Sequence, residues 1–316
     1  MNFNDQSLNF EKCGPFFHLG RYSTKKKSVS KHVSLVDCSF SFPDDLGPGC
    51  AMGYNRSMSY VDLHAHLDDQ AFNADRHEII EEFFERGWQA LISVADSYQE
   101  DSLALTSALL VRHPRLAVIV GAHPHGASNY SHSVEKAMLD FAARERPLAC
   151  GEIGLDFHYN FSPPQQQRQV FARQLALARE LGLPVVIHAR NSEGEVLACL
   201  EQEKFPNPVV FHCFSGGLKE AREIAARGYG LSFSGIVTFA KATALREALA
   251  AMPKENVFTE TDAPYLAPVP WRGRRNTPLM VDKVAEAVAS CLKLSVSELN
   301  LQMAANLKRF FPGWKG

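Results

Sequence analysis

The sequence predicts an α/β protein of the (β/α)8 TIM-barrel class with an extra C-terminal helix. Three observations carry that expectation. From Ser59 onward, eight short apolar runs alternate with segments of helical period. The runs are rich in Val, Ile, Leu and Phe, as expected of strands buried on both faces of a parallel sheet. The stretch from Ser59 to Gly316 is close to the roughly 250 residues typical of such a barrel. A doubly wound open sheet is the alternative, and the absence of a GxGxxG after the first run weighs against it.

In chain order the strands are expected at Tyr60–Leu63, Ala90–Val94, Leu116–Val120, Leu148–Gly151, Val185–Ile187, Val209–Phe211, Gly230–Phe233 and Val257–Thr259. The clearest helix is PPQQQRQVFARQLALARELGLP. It opens at Pro163-Pro164, puts Phe171, Leu175, Ala178 and Leu181 on one face, and stops at Gly182 before Pro184. SHSVEKAMLDFAARERP and LKEAREIAARG behave alike. MVDKVAEAVASCLKL supplies the last outer helix, and SVSELNLQMAANLKRFF adds one more.

Residues 1–57 read differently, with STKKKSVSK and FPDDLGPG clusters and no sustained period. They are expected to be a poorly ordered N-terminal extension. Met58 directly precedes the first strand, so a natural start there is an alternative for that segment. Lys25, Lys26 and Lys27 read as a solvated run.

Composition is that of an ordinary globular chain, 46% hydrophobic and 22% charged. A net charge of −2 supplies no global field for a polyanion, so any nucleic acid must meet a local cationic patch or metal ions. Seven scattered cysteines without a CxxC pair argue against a disulfide framework and against a cysteine zinc site, and fit a reducing cytoplasm. No signal peptide and no membrane span are expected, and a monomer suits one closed barrel.

The informative residues are polar ones at the C-terminal ends of these strands, where barrels place their active sites. The first run ends in HAH, with His64 and His66 two apart and therefore on one side of an extended chain. The fourth ends in GEIGLD with Glu152, the fifth in VVIHAR with His188, the sixth in VVFHCFSG with His212, and the eighth in FTETDAP with Asp262. Any one of these has an ordinary explanation as a bonded core residue. Four imidazoles and two carboxylates at five strand ends do not, because burying so many ionisable groups is costly without compensation. A pair of divalent cations compensates them, and mixed His/carboxylate ligation suits Zn²⁺, Mn²⁺ or Fe²⁺, with Mg²⁺ also accommodated. Beside His212, Cys213 is expected to face the barrel wall as core.

DLHAHLDD, GAHPH, GEIGLDF, VIHAR, FHCFSG, TETDAPYL and RGRRNTP together resemble the signature set of the TatD family of metal-dependent hydrolases, within the amidohydrolase superfamily. The resemblance runs from Met58 to the C-terminus. It implies a (β/α)8 barrel and a deoxyribonuclease, a 3′→5′ exonuclease on single-stranded DNA. An ester or amide hydrolase on the same site, such as a D-aminoacyl-tRNA deacylase, is the second reading, and a non-catalytic binding module the third. It further implies two metals: His64, His66, Glu152 and Asp262 would hold one, and Glu152, His188 and His212 the other, with Glu152 bridging. Many members carry an acid where this chain has Asn191, which puts a supporting carboxylate there in doubt.

Under that reading Asp262 is the candidate general base, taking the proton of the attacking water. His123 and His125 of GAHPHG are candidates for phosphate binding or leaving-group protonation, with a structural turn as the alternative. Arg190, Arg272, Arg274 and Arg275 offer guanidinium donors to phosphate. Tyr265 and Trp271 serve either for base stacking or for packing.

Overall fold

The computed structural model describes residues 59–315, which all belong to one compact unit. The expectations for residues 1–57, Met58 and the lysine run lie outside the described residues. Eight parallel strands pair in sequence order: β1 (Val61–Ala65), β2 (Ala90–Asp96), β3 (Ala117–Gly121), β4 (Ala149–Asp156), β5 (Val185–Arg190), β6 (Val209–Phe211), β7 (Gly230–Phe233) and β8 (Val257–Thr259). The ring closes where β1 meets the chain after β8, through a parallel bridge between Ala65 and Ala263. Each strand is followed by one helix: α1 (Arg76–Glu85), α2 (Glu100–Arg112), α3 (His132–Glu145), α4 (Pro164–Glu180), α5 (Glu193–Gln202), α6 (Leu218–Ala226), α7 (Thr243–Ala250) and α8 (Val281–Leu292). The extra helix is α9 (Val296–Phe310). This is the predicted (β/α)8 barrel, and the open-sheet alternative falls.

Five strands run further than the apolar runs suggested, β2 reaching Asp96 and β3 Gly121. β1 continues through His64, β4 through Glu152 to Asp156, and β5 through His188 to Arg190. The ladder does not stop where hydrophobicity stops, so these polar residues lie within strands rather than beyond them.

Helix α4 positions the site. Its apolar face buries Phe171, Leu175 and Ala178 as expected, but Leu181 is 45% exposed. Leu181 caps the helix and the chain reverses at Gly182, at φ +67°, so the helical period no longer aims Leu181 inward. The same helix buries two glutamines seven residues apart, hence on one face. Gln174 bonds both backbone groups of Ala122 (2.8 and 2.9 Å). Gln167 accepts from Asp156 N–H (2.7 Å) and donates to Asp156 O (2.9 Å). These amides satisfy backbone groups just past β3 and at the end of β4 that no neighbouring strand reaches.

Helix α9 starts from a capping box between Ser295 and Glu298. It sits at the opposite end of the barrel, where Asn306 donates to Val257 O (2.8 Å) and Phe310 and Phe311 pack edge-on against Phe258.

Candidate metal centre

The ends of β1 and β8 are laced together. His66 N–H donates to Ala263 O (2.8 Å) and Asp262 N–H to His64 O (2.9 Å). Fully buried Asp62 accepts from the backbone N–H and hydroxyl of Thr261 (2.8 and 2.6 Å). Burial pushes the Asp62 carboxyl up to about 8, so at neutral pH it clips the two strand ends together mostly as an uncharged group. Asp262 adopts φ +55°, a costly conformation for a residue with a Cβ and one concentrated at functional sites. From there its Oδ1 lies 3.4 Å from His66 Nε2. Burial works against a charged His66, but Asp262 outweighs it and raises the imidazole to about 9.

Glu152, in β4, is the centre of the arrangement. Its Oε2 lies 3.4 Å from His64 Nε2. Its Oε1 lies 2.7 Å from His188 Nδ1, 2.6 Å from His212 Nε2 and 3.3 Å from His123 Nε2. Burial alone would raise this carboxyl, but His212, His123 and His188 together hold it well below the usual range. It stays ionised, a buried charge ringed by imidazoles.

Gly154 makes this crowding possible. It pairs with His188 across β4 and β5 at φ +143°, and a Cβ there would come within 2.0 Å of His188 O. Only glycine lets the two strands approach with Glu152 and Asp156 flanking the contact.

The polar groups left over fit a cation. His64 is fully buried, yet neither ring nitrogen has a hydrogen-bond partner among the described residues, and the same holds for His212 Nδ1 and Glu260 Oε2. The 3.4 Å approach of His64 to Glu152 is within ion-pair range but not aligned as a hydrogen bond. The His64 and His212 rings are stacked at 4.0 Å and 18°. Each unsatisfied buried group costs about 1–3 kcal/mol. Burial and the neighbouring His212 hold His64 below its ordinary pKa, which leaves neutral nitrogens of the kind that bind metal. Ligand atoms of His64, His66 and Glu152 lie within mutual reach, as do those of Glu152, His188 and His212, and of His64, His212 and Asp262. All six residues expected from the strand ends are thus brought to one place.

The other expected residues are distributed less evenly. His123 Nδ1 accepts the N–H of His125 (3.2 Å), so the neutral ring carries its proton on Nε2, toward Glu152. Burial lowers His123 to about 4, which keeps it neutral. His125 lies at the rim with Nε2 2.7 Å from Asp156 Oδ2. His123, His125 and His188 form a further group of convergent ligand atoms. The Arg190 guanidinium lies over the Tyr159 ring at 4.6 Å. Arg274 is exposed. Arg275 makes a two-pronged pair with Asp75 (2.8 and 2.5 Å), and Arg272 covers Phe239, so both are engaged away from the histidines. Tyr265 is 53% exposed, with its hydroxyl on Asp69 (3.1 Å) and its ring 5.9 Å from His66. Trp271 is half-buried.

Cys213 packs against the core as expected, but not by strand period. Strand β6 ends at Phe211, so period-two logic does not reach Cys213, which turns at φ +43° and is only half-buried. Its N–H donates to Glu260 (2.7 Å) and its thiol lies 3.2 Å from Ser234 Oγ.

Three carboxylates were missed. Asp156 Oδ2 meets both His125 and His188, and those bonds overcome burial to keep it ionised far below its ordinary pKa. It supplies the support that Asn191 cannot. Glu260 lies 3.4 Å from His212 Nδ1, and Asp62 stands behind His64. For Asp62 and Asp156 the available signal was period two, since they lie two and four residues from His64 and Glu152 within β1 and β4; Glu260 lies past β8, where that period does not apply.

Residues 61–312 match the family model described as TatD related DNase. The chain is 32% identical over 251 residues to the uncharacterized metal-dependent hydrolase YabD of Bacillus subtilis, covering 79% of this chain and 98% of that protein. It is 33% identical over 258 residues to a protein of Escherichia fergusonii named 3′-5′ ssDNA/RNA exonuclease TatD, covering 79% and 98%. The crystal structure of YjjV, a TatD homolog from Escherichia coli K12, superimposes with a TM-score of 0.75 at 25% identity, covering 81% of this chain and 99% of that one. With a barrel rim of buried histidines and acids fit for metal and matches across nearly the whole described chain, this protein belongs to the TatD-related DNase family of metal-dependent hydrolases.

Proposed function

We propose that this protein, through a hydrolase domain spanning residues 58–316, removes nucleotides from the 3′ end of single-stranded DNA using two divalent cations. The observation that carries the reading is Glu152, whose two carboxylate oxygens face different histidine clusters, His64 on one side and His188 with His212 on the other. Glu152 with His64, His66 and Asp262 would hold one cation, and Glu152 with His188 and His212 would hold the other. Cations of the Mg²⁺, Mn²⁺ or Zn²⁺ class, when bound, supply Lewis-acid polarisation of the phosphoryl group and acidify water toward neutral pH.

The chain's own groups do the rest. Asp262, just past β8 with its Oδ1 3.4 Å from His66 Nε2, accepts the proton of the attacking water. His123 directs its Nε2–H at Glu152 and fixes that carboxylate's orientation. His125 stands at the rim, 32% exposed, and meets the phosphate or its leaving oxygen. Arg190 and Arg274 add positive charge for the polyanion. The relative named as a 3′-5′ ssDNA/RNA exonuclease supports this choice of substrate and polarity.

The test is cleavage of 3′- and 5′-end-labelled single-stranded DNA with Mg²⁺, with Mn²⁺ and with chelator, alongside Glu152→Ala. Stepwise release of mononucleotides from the 3′ end, abolished by chelator and by the substitution, is expected. A cation-loaded protein that releases no nucleotide would end the nuclease reading and leave ester or amide hydrolysis at the same residues.

A further inference from the structure

Beside the histidines, the barrel mouth carries a pair of aromatic rings that the metal centre does not use. Tyr159 and Phe161 follow β4 and are 39% and 60% exposed. Their rings are stacked, with centroids 5.3 Å apart and planes within 7°. The Arg190 guanidinium covers Tyr159 at 4.6 Å, and His125 meets Phe161 edge-on at 4.8 Å and 86°.

The rings are held out by a braced loop. Asp156 Oδ1 accepts the N–H groups of His158 and Tyr159, both at 2.9 Å, while its Oδ2 meets His125 and His188. At the other end of the loop, Ser162 Oγ donates to His125 O (2.7 Å), and Gln167 donates to Ser162 O (2.8 Å). One carboxylate therefore ties the aromatic pair to a histidine of the centre. Exposed rings fixed by this many bonds are not a side chain left over from packing.

We propose that Tyr159 and Phe161 form a stacking platform for an unpaired nucleobase, which lies on the open side of Phe161 and extends the existing stack. This rests on the phosphodiesterase reading above. The observations favour a base over a protein partner. Two rings offer far less than the roughly 800 Å² per side that a stable protein interface buries. A parallel ring pair with a cation over it is instead suited to a planar π-system. A base inside a duplex presents no free face, so the platform selects single strands.

The full-length protein with Mn²⁺ is compared with Phe161→Ala and Phe161→Trp in two assays. The first measures kcat/KM on a single-stranded oligonucleotide and on one whose terminal residues are base-free tetrahydrofuran. The platform predicts that Phe161→Ala lowers the base-bearing to base-free ratio about tenfold, mainly through KM, within the range for one base on one ring. Phe161→Trp restores the ratio. An unchanged ratio overturns the proposal. The second assay follows binding of an oligonucleotide carrying terminal 2-aminopurine, whose fluorescence is quenched by stacking. Quenching in the wild type that is lost in Phe161→Ala supports the platform even if no strand is cleaved, an outcome that would fell only the nuclease reading. Equal quenching in both, or none in either, overturns the platform independently of cleavage.

Discussion

Asp156 Oδ2 lies 3.1 Å from His188 Nε2, the ring nitrogen that Glu152 does not use, since Glu152 Oε1 faces Nδ1 at 2.7 Å. The imidazole is held between two carboxylates, and Asp156 fixes both its rotation and the nitrogen that carries the proton. Supporting carboxylates of this kind typically contribute 10–100-fold to metal affinity. Asp156→Asn is therefore expected to weaken Mn²⁺ binding by about that factor while the barrel still folds. Isothermal titration with Mn²⁺, with circular dichroism as the fold control, measures it. An unchanged dissociation constant would remove Asp156 from the centre.

Cation loading is expected to stabilise the fold. Among the described residues, neither ring nitrogen of buried His64 has a hydrogen-bond partner. A ligand that binds only the folded state at a hundred times its dissociation constant contributes about 2.7 kcal/mol. The thermal midpoint should rise with Mn²⁺ and return with chelator, and the rise should largely vanish in Glu152→Ala. A midpoint insensitive to Mn²⁺, Mg²⁺ and Zn²⁺ alike would contradict a cation at these residues.

Gly154→Ala is expected to be among the most damaging small substitutions. Its added methyl would meet His188 O at 2.0 Å, and φ +143° is strained for any residue with a Cβ. Backbone cannot give way as a side-chain tip can, so a loss of about 1–3 kcal/mol or more is expected. A denaturant midpoint within error of the wild type would mean that β4 and β5 part more easily than their pairing implies.

The contrast between what was legible and what was not has a physical basis. The barrel was readable because parallel strands buried on both faces are continuous apolar runs, and Val185–Ile187 or Val209–Phe211 admit little else. His64, His66, Glu152, His188, His212 and Asp262 were legible as candidates because each lies within three residues of the end of such a run. Gln167 was not, because its role arises only when α4 folds back on β4. The aromatic pair was hidden for the same reason: neither Tyr159 nor Phe161 lies on a periodic element, and their stacking is a property of the loop that Asp156 braces. Arg275 misled because charge near a mouth says nothing of direction, and Asp75 had already claimed it.

Acid is expected to loosen the α1–α2 face independently of the centre. His113, nearly buried where α2 ends, has its Nε2 2.9 Å from His77 Nδ1 of α1. Burial, then His77 and Arg112, depress the His113 pKa, with Glu81 opposing. In the unfolded chain the ring protonates at about 6.5. Above that pH both states are neutral at His113 and its contribution is fully present. As pH falls below about 6.5 the unfolded chain takes up a proton that the folded ring resists, so stability drops until the folded pKa is passed. Urea midpoints measured from pH 7.5 to pH 5 should fall more steeply for the wild type than for His113→Gln, in chelator to keep cation binding out of the comparison. Parallel slopes would show that the imidazole pair relaxes on protonation at no cost to the fold.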